Sequence, residues 1–294
     1  TRFKNQQSHL GVEIQGPSLL LDVGSVAYDL GMKGITNRSM KLSSLLECLV
    51  GYRLDKNLQL SYWDGVISPL QLQYCALDIK AFWKTQGVDL QIGTQLLEGL
   101  ETPESIQLFN SAAPLVDFIG CLPSRDVNPA KHLDIVFSKA AELDKHVEAH
   151  LDQCNIPTEK ETELFCDYVE KYNYQGKSRA IHCVSLACQS LEYQKKIARR
   201  MSDLNIGVII CPSAAISMTQ HNDYYAPIHN SIGPVKLFLE EGVNVGLGVD
   251  NVEDIFMPFC DGDLMFELRL LAEAERIYEP NKLINIATNT MGFT

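Results

Sequence analysis

Residues Val116–Leu151 read VDFIGCLPSRDVNPAKHLDIVFSKAAELDKHVEAHL and contain two short apolar runs with an amphipathic stretch between them. The runs Val116–Leu122 and Val147–Leu151 have the length and composition of buried β-strands. The stretch between them, Pro129–Leu143, has apolar residues at helical spacing. It begins with a proline, whose missing amide costs little at a helix start. A strand, a helix and a second strand are therefore predicted in this order.

The same unit recurs along the chain. Further strands are predicted at Leu58–Tyr62, Val88–Ile92, Arg179–Val184, Val208–Cys211 and Val243–Gly248. Further helices are predicted at Ser39–Val50, Pro69–Thr85, Glu159–Tyr172, Ser190–Leu204, Gly233–Glu241, Gly262–Ala274 and Asn281–Thr294. Alternating strands and helices predict an α/β protein with a parallel sheet and helical crossovers. We expect this sheet to close into a (β/α)8 TIM-type barrel, with an additional strand near Phe3–His9 and one domain over residues 1–294.

Composition narrows the classes of function. The 294 residues include 37 acidic and 25 basic side chains, for a formal net charge of -12. Such a chain lacks the positive surface of a nucleic-acid-binding protein and would be repelled by anionic membranes. Nine cysteines without regular spacing indicate reduced thiols in a cytoplasmic protein rather than a disulfide framework. We expect a soluble protein with a small-molecule partner, and a homo-oligomer stays open.

Reactive side chains fall at the ends of the predicted strands, where the active site of such a barrel lies. His150 ends one strand, His182 lies in the next, and Asp250 directly follows the last. His9 would end the first strand. A single histidine on a strand is more often a core or surface residue, but core packing does not explain four polar groups at equivalent strand ends. Their convergence favours a catalytic zinc or iron site with an open position for water.

Several stretches resemble one protein family. HVEAHLDQCN at His146–Asn155, RAIHCVSL at Arg179–Leu186 and GPVKLFLEEGVNVGLGVDN at Gly233–Asn251 are similar to the cytosine deaminase branch of the amidohydrolase superfamily. The pattern G-x-D-N-x-x-D-x-x-x-P at Gly248–Pro258 is the most specific part. The resemblance implies a barrel that holds one divalent metal ion, zinc or iron, and hydrolyses a C–N bond on a small nitrogen heterocycle. It also implies that the small β-domain strands that normally flank this barrel are missing.

The resemblance assigns roles to the strand-end residues. His150 and Asp250 would be metal ligands, and Asp250 would also accept the proton of the attacking water. His182 would contact that water or the metal, and His9 matches the second histidine of the family's His-x-His. This chemistry is sound because a divalent cation lowers the pKa of bound water, and a neighbouring carboxylate can then move protons.

Two departures from the family pattern fall on the chemistry. Gln7 stands where the family has the first histidine of His-x-His, and Gln153 stands where it has a glutamate. An amide is a weaker ligand for zinc or iron and cannot shuttle a proton. Asp152 is the nearest carboxylate that could replace the shuttle, although adjacent side chains on an ideal strand point to opposite faces.

Substrate contacts are predicted at three positions. A glutamine that holds the heterocycle in the family aligns near Leu97, with Gln95 as a substitute, and Gln153 would face the substrate. Trp63 is close enough to a strand end to stack on a flat ring, with core packing as the alternative.

Two functions stay open. The first is an enzyme that deaminates or dealkylaminates a heterocycle, and the second is a degenerate barrel that binds a heterocycle or a partner without catalysis.

Overall fold

The computed structural model describes residue 80 and residues 90–221, 223–254 and 256–289. The chain divides into two compact units, Thr1–Leu90 and Gln91–Thr294, and the elements below belong to the second. A single domain over residues 1–294 stays a prediction. The predictions that lie outside the described residues concern Gln7, His9 and Trp63, the strands near Phe3–His9 and at Leu58–Tyr62, the helix Ser39–Val50 and, apart from residue 80, the helix Pro69–Thr85.

Five parallel strands form one sheet in the order β1-β2-β3-β4-β5. They are β1 (Phe118–Cys121), β2 (His146–Leu151), β3 (Ser178–His182), β4 (Gly207–Ile210) and β5 (Val245–Leu247). Each lies within a predicted strand or begins one residue before it, so the α/β class with a parallel sheet is confirmed. The described strands form an open sheet, and closure into an eight-stranded barrel stays a prediction.

Helices connect and follow the strands. They are α1 (Pro103–Ala112), α2 (Pro129–Leu143), α3 (Glu161–Tyr172), α4 (Val184–Ala187), α5 (Leu191–Asp203), α6 (Pro212–Ser217), α7 (Val235–Glu240), α8 (Leu264–Glu275) and α9 (Pro280–Thr288). The sequence pattern does not predict α1, α4 or α6, and α4 and α6 are too short to show helical periodicity. Among the described helices, none combines the length and apolarity that a membrane span requires.

Helix starts follow local chemistry. The side chain of Asn128 accepts a hydrogen bond from Lys131 N at the start of α2, and Pro129 occupies the first turn. Ser190 caps α5 in the same way, with its hydroxyl 3.3 Å from Tyr193 N. These side chains satisfy amides that have no partner within the helix. The local signals therefore explain why both predicted helices begin within one residue of the observed position.

The predicted strand Val88–Ile92 is described only from residue 90 onward, and it forms no regular strand there. Instead, Gly93 makes a single parallel bridge to Phe118, and Ile92 O accepts a hydrogen bond from Asp117 N at 2.7 Å. Thr94 adds a side-chain bond of 2.7 Å to Gly120 O. The segment thus pairs with the edge of β1 through a few bonds, one to two residues later than predicted.

One face of the sheet is apolar and covered by helices. Its side chains come from alternate positions on the strands and are at most 3% exposed: Ile119, Cys121, Val147, Ala149, Leu151, Ala180, Val208, Ile210 and Val245. Phe137 of α2 and Phe165 of α3 pack in the same core, with ring centroids 5.5 Å apart. Burial of this apolar area is the main stabilising contribution to the unit.

The opposite face carries polar groups. Glu148 and His150 alternate with the apolar residues of β2, and the strand register sets Glu148 beside Arg179 and His150 beside Ile181. Glu148 Oε1 and Arg179 Nη1 form an ion pair of 2.9 Å, and both side chains are about nine-tenths buried. Burial raises the pKa of Glu148 and lowers that of Arg179, and the charge of each opposes the shift of the other.

The loop after β2 is fixed to the start of α3. Asp152, which is 2% exposed, accepts hydrogen bonds from Glu161 N at 2.7 Å and from the Thr162 hydroxyl at 2.6 Å. In return, Asp152 N donates to Glu161 Oε2 at 3.1 Å. Burial raises the pKa of Asp152 to about 6 and that of Glu161 to about 8. The two carboxyl groups thus join the end of β2 to the first turn of α3.

Another buried carboxylate, that of Asp126, fixes the segment before α1. Both oxygens of Asp126 accept from Leu100 N, at 2.9 and 3.0 Å, and Oδ2 is 2.8 Å from Nδ1 of His132. Gly99 precedes this contact with φ +69°, and a Cβ there would lie 1.9 Å from Asp126 Oδ1. His132 is fully buried, and burial lowers its pKa. Asp126 therefore links the segment before α1 to α2.

Replacing Asp126 should destabilise the fold more than replacing a surface aspartate. Asp126→Ala leaves Leu100 N and His132 Nδ1 buried without this partner, and we expect the free energy of unfolding to fall by about 2–3 kcal/mol. Asp167→Ala is the control, because Asp167 forms an exposed ion pair with Arg200 and such pairs contribute at most about 1 kcal/mol. Urea unfolding followed by circular dichroism measures both. Equal losses of unfolding free energy in the two variants would contradict the structural role assigned to Asp126.

Glu161 should make stability depend on pH. Its pKa is raised from 4.5 to about 8 by burial, so the folded state binds this proton more tightly than the unfolded state. The stability it contributes is complete below about pH 4.5 and is lost as the pH rises through about 8. We expect Glu161→Gln, which keeps an acceptor for Asp152 N, to reduce the fall in stability between pH 5 and 8.

The control for this measurement is Glu163→Gln, two residues along α3. The hydrogen bond from Lys196 lowers the pKa of Glu163, so its titration lies below the pH 5–8 window and its removal should leave the slope there unchanged. A Glu161→Gln protein with the same slope as the wild type would show that Glu161 does not titrate in this range.

Candidate metal centre

Three side chains from different strands meet near the carboxyl edge of the sheet. His150 is on β2, His182 ends β3, and Asp250 follows the end of β5. One ligand atom from each lies within 4.8 Å of the other two. Nε2 of His182 is 3.3 Å from Oδ2 of Asp250, and the ring centroids of His150 and His182 are 5.3 Å apart. The structure therefore brings together three of the four predicted metal ligands; the fourth, His9, lies outside the described residues.

Unusual backbone conformations contribute to this arrangement. The register pairs His182 with Leu151 rather than with His150, so simple alternation would place the two imidazoles on opposite faces of the sheet. His182 has φ +72°, which ends the regular strand and redirects the chain. The backbone of Asp250 also has a left-handed conformation, with φ +64°. Such conformations are strained for residues other than glycine and occur often at functional sites.

The electrostatics favour a neutral imidazole beside a carboxylate. Burial lowers the pKa of His150 to about 4, and His182 acts in the same direction. Burial alone would raise the pKa of Asp250, but the adjacent His182 and the nearby His150 outweigh it and hold that pKa below its ordinary value. At neutral pH the site thus presents an uncharged His150 and an ionised Asp250, which are the forms that bind metal ions.

Unpaired nitrogen atoms indicate what the site can hold. Within the described part of the chain, Nδ1 of His150 and Nδ1 of His182 are buried and make no hydrogen bond, and Nε2 of His182 has only its 3.3 Å contact with Asp250 Oδ2. Buried polar atoms without partners are rare, because each carries the cost of its lost hydration. Two imidazoles and one carboxylate form a donor set that suits zinc or iron. The residues present therefore fit a divalent metal ion.

The predicted substrate residues lie in loops. Gln153 is half-buried, two residues after the end of β2, and its amide makes no hydrogen bond to the triad within the described residues. Gln95 is exposed in the segment between Gly93 and Leu96, and Leu97 is 47% exposed. Their roles toward a substrate stay predictions.

Asp152 does not face the triad through a free carboxylate. Both of its oxygens accept hydrogen bonds from the first turn of α3, from Glu161 N and from the amide and hydroxyl of Thr162. A carboxylate with these bonds is a structural cap. The alternation that argues against Asp152 as a proton shuttle therefore agrees with its observed contacts.

The acidic residues after Asp250 organise the backbone. Asp254 Oδ1 accepts from Phe256 N and Met257 N, both at 2.9 Å, and Asn251 Nδ2 donates to its other oxygen. Asp263 caps α8 through a bond of 2.8 Å from Met265 N. Asp254 therefore orders the loop after β5, and Asp263 caps a helix.

A small apolar cluster beside the triad is not predicted from the sequence. Ile181, Cys211, Ala214 and Met257 pack together and are at most 9% exposed. Ile181 pairs in register with His150, and a Cβ on Gly248 would lie 2.9 Å from Cys211 Sγ. The pKa of Cys211 is raised by burial and also by the charge of Asp250. Strand alternation, applied from His150 across to β3, would have identified this surface.

His229 belongs to a different region. It lines a cavity of about 390 Å³ that none of the three triad residues lines. Its Nδ1 accepts a hydrogen bond from Ser231 N at 3.1 Å, so the neutral ring carries its proton on Nε2, which is 3.3 Å from Cys188 Sγ. Burial lowers the pKa of His229. These contacts give His229 a structural role in its loop.

Comparisons with other sequences give a partial match. No protein-family model matches the chain. An uncharacterized protein from Haemophilus influenzae is 33% identical over 156 residues, which cover 52% of this chain and 56% of the relative. The chain therefore spans little more than half of that relative's length.

Solved structures share the fold. A 5-methylcytosine deaminase from Klebsiella pneumoniae, liganded with 5-fluorocytosine, superposes with a TM-score of 0.68 at 20% identity, over 76% of this chain and 55% of that chain. An N-isopropylammelide isopropylaminohydrolase from Burkholderia multivorans gives a TM-score of 0.59 at 20% identity, over 73% of this chain and 53% of that chain. Over the aligned regions, this chain shares the fold of these two enzymes.

Proposed function

We propose that this chain is the barrel of a metal-dependent hydrolase that cleaves a C–N bond on a small nitrogen heterocycle, by deamination or dealkylamination. The observation that most strongly supports this proposal is the triad of His150, His182 and Asp250, whose ligand atoms lie within 4.8 Å of one another. The two solved structures with a similar fold are those of a deaminase and an aminohydrolase, which supports the reaction class. We include in the same proposal that the chain belongs to the cytosine deaminase-like branch of the amidohydrolase superfamily and that it is cytoplasmic.

The chain's own residues have separable tasks. His150, His182 and Asp250 would hold one divalent ion, zinc or iron, with His9 as a further ligand. When bound, such an ion acts as a Lewis acid and lowers the pKa of water. Asp250, whose pKa is held low, is ionised at neutral pH and can accept a proton from water. Gln153 can orient a heterocycle by hydrogen bonds but cannot exchange a proton.

The substrate contacts belong to this proposal as well. Gln153 and Gln95 would supply amide hydrogen bonds to the ring, and Trp63 would stack on its face. The apolar cluster of Ile181, Cys211, Ala214 and Met257 lies beside the triad and would exclude water from one side of the site. Exclusion of water strengthens the interactions of Asp250 with reacting groups.

A second candidate function is a barrel that binds a heterocycle or a partner without turning it over. Two observations favour it. Gln153 replaces the proton-shuttling glutamate of the resembling family, and the carboxylate of the neighbouring Asp152 is occupied by α3. This candidate and the hydrolase differ in whether a C–N bond is broken.

Metal content tests the triad directly. Protein purified and reconstituted with zinc or iron should carry about one ion per chain, and His182→Ala and Asp250→Ala should each reduce that content sharply, because each removes one ligand of a small set. His221→Ala is the control, since His221 is exposed in a loop and should keep the wild-type stoichiometry. Elemental analysis gives the measurement. A wild-type protein without stoichiometric metal would exclude the hydrolase in this form.

Ammonia or alkylamine release tests catalysis. We expect release from at least one member of a panel of pyrimidines, pterins and triazines, and we expect Asp250→Ala to reduce the rate at least about 100-fold by removing a general base. Gln153→Glu should raise the rate by restoring a proton carrier. Product analysis separates deamination from dealkylamination. Binding of a panel compound without release would favour the second candidate instead.

A further inference from the structure

Asn155 is a buried amide in the loop that follows β2. It is 7% exposed, and neither its Oδ1 nor its Nδ2 makes a hydrogen bond within the described part of the chain. Folding removes both atoms from water without replacing the bonds that water made, and this lowers stability. Buried polar groups without partners are few in folded proteins. An amide that keeps both a donor and an acceptor unpaired is therefore a candidate for binding a ligand.

The loop that holds Asn155 is well fixed on both sides. Cys154 N donates to Glu159 Oε2 at 3.0 Å, and the Ser185 hydroxyl is 2.6 Å from both Cys154 O and Glu159 Oε2. Ser185 N also donates to Asp152 O at 2.9 Å. The polar groups around Asn155 are thus paired, and the loop is joined to the segment that follows β3. A loose loop does not account for the unpaired amide.

The position of this loop connects it with the triad. The loop leaves the sheet after Leu151, at the edge where β2 and β3 end, and Asn155 lies five residues after His150. In parallel α/β sheets, ligands bind in the crevice outside the carboxyl ends of the strands. A rigid loop at this edge can therefore present a side chain to whatever binds beside His150 and His182.

We propose that Asn155 binds the substrate by a paired contact, in which Nδ2 donates to and Oδ1 accepts from adjacent atoms of the ring. Such an edge has a hydrogen-bond acceptor next to a donor, as in a lactam or an amino-substituted ring nitrogen. This inference rests on the proposed function and narrows its substrate to heterocycles that carry this edge. Asn155 would then be a specificity-determining residue that acts through hydrogen bonds.

The test uses two measurements on the same variants. Asn155→Leu keeps the size of the side chain and removes its polar atoms, and Asn155→Ala is a second variant in case leucine does not fit. In the metal-free protein, Asn155→Leu should raise the melting temperature by about 2–4 °C, because unpaired buried groups are removed. In the zinc-loaded protein, it should weaken the binding of 5-fluorocytosine at least about tenfold, measured by calorimetry.

Thr158→Ala is the control in the same loop. Thr158 is exposed, and its replacement should change neither measurement. A lower melting temperature in both Asn155 variants would show that the amide is already paired in the folded chain and would overturn the proposal. Unchanged affinity in these variants would overturn it as well. Failure of the zinc-loaded wild type to bind 5-fluorocytosine, cytosine or any triazine tested would instead contradict the proposed function, and the Asn155 proposal with it.

Discussion

Parallel pairing of β2 with β3 is the constraint on which the candidate site depends. The register sets Leu151 beside His182, so the two strands end at the same level. The pairing continues past the strands, because Cys183 N donates to Leu151 O at 3.1 Å and Ser185 N donates to Asp152 O at 2.9 Å. A slip of one residue would move every side chain of a strand to the other face of the sheet. The distance between the two imidazoles is therefore a property of the sheet as a whole.

The two faces of this sheet have different tasks. The face packed by Phe137 and Phe165 is apolar and contributes most of the stability. The other face carries the buried ion pair of Glu148 and Arg179, and Glu148 lies two residues before His150 on β2. Desolvation of such a pair offsets much of its attraction, so the pair is weak evidence for stability. The pair shares this face with His150, whose own pKa is set by burial, by His182 and by Asp250.

Much of the second unit is predictable from the sequence, because its signals are local. The span of α2 follows from Asn128, Pro129 and apolar periodicity, and the strands follow from short runs of branched side chains. Strand ends also identify His150, His182 and Asp250, since parallel strands present their carboxyl ends at one edge.

Other features depend on side-chain direction, which a sequence pattern does not contain. The left-handed turn at His182, the hydrogen bonds that commit Asp152 to α3 and the cluster around Met257 arise from long-range contacts. The unpaired state of Asn155 is likewise a property of its surroundings. Composition and periodicity describe which elements form, whereas the chemistry of the site depends on how their ends turn.

The positive φ values at His182 and Asp250 limit how this site can change over evolutionary time. A left-handed conformation costs most residues about 1–2 kcal/mol relative to glycine, and asparagine and aspartate tolerate it best. Drift at these two positions is therefore filtered by backbone geometry before chemistry is considered, and β-branched residues are the least accessible replacements. Because this filter belongs to the fold, it would act equally on a variant that no longer bound the proposed metal, and the shape of the backbone would outlast the proposed activity.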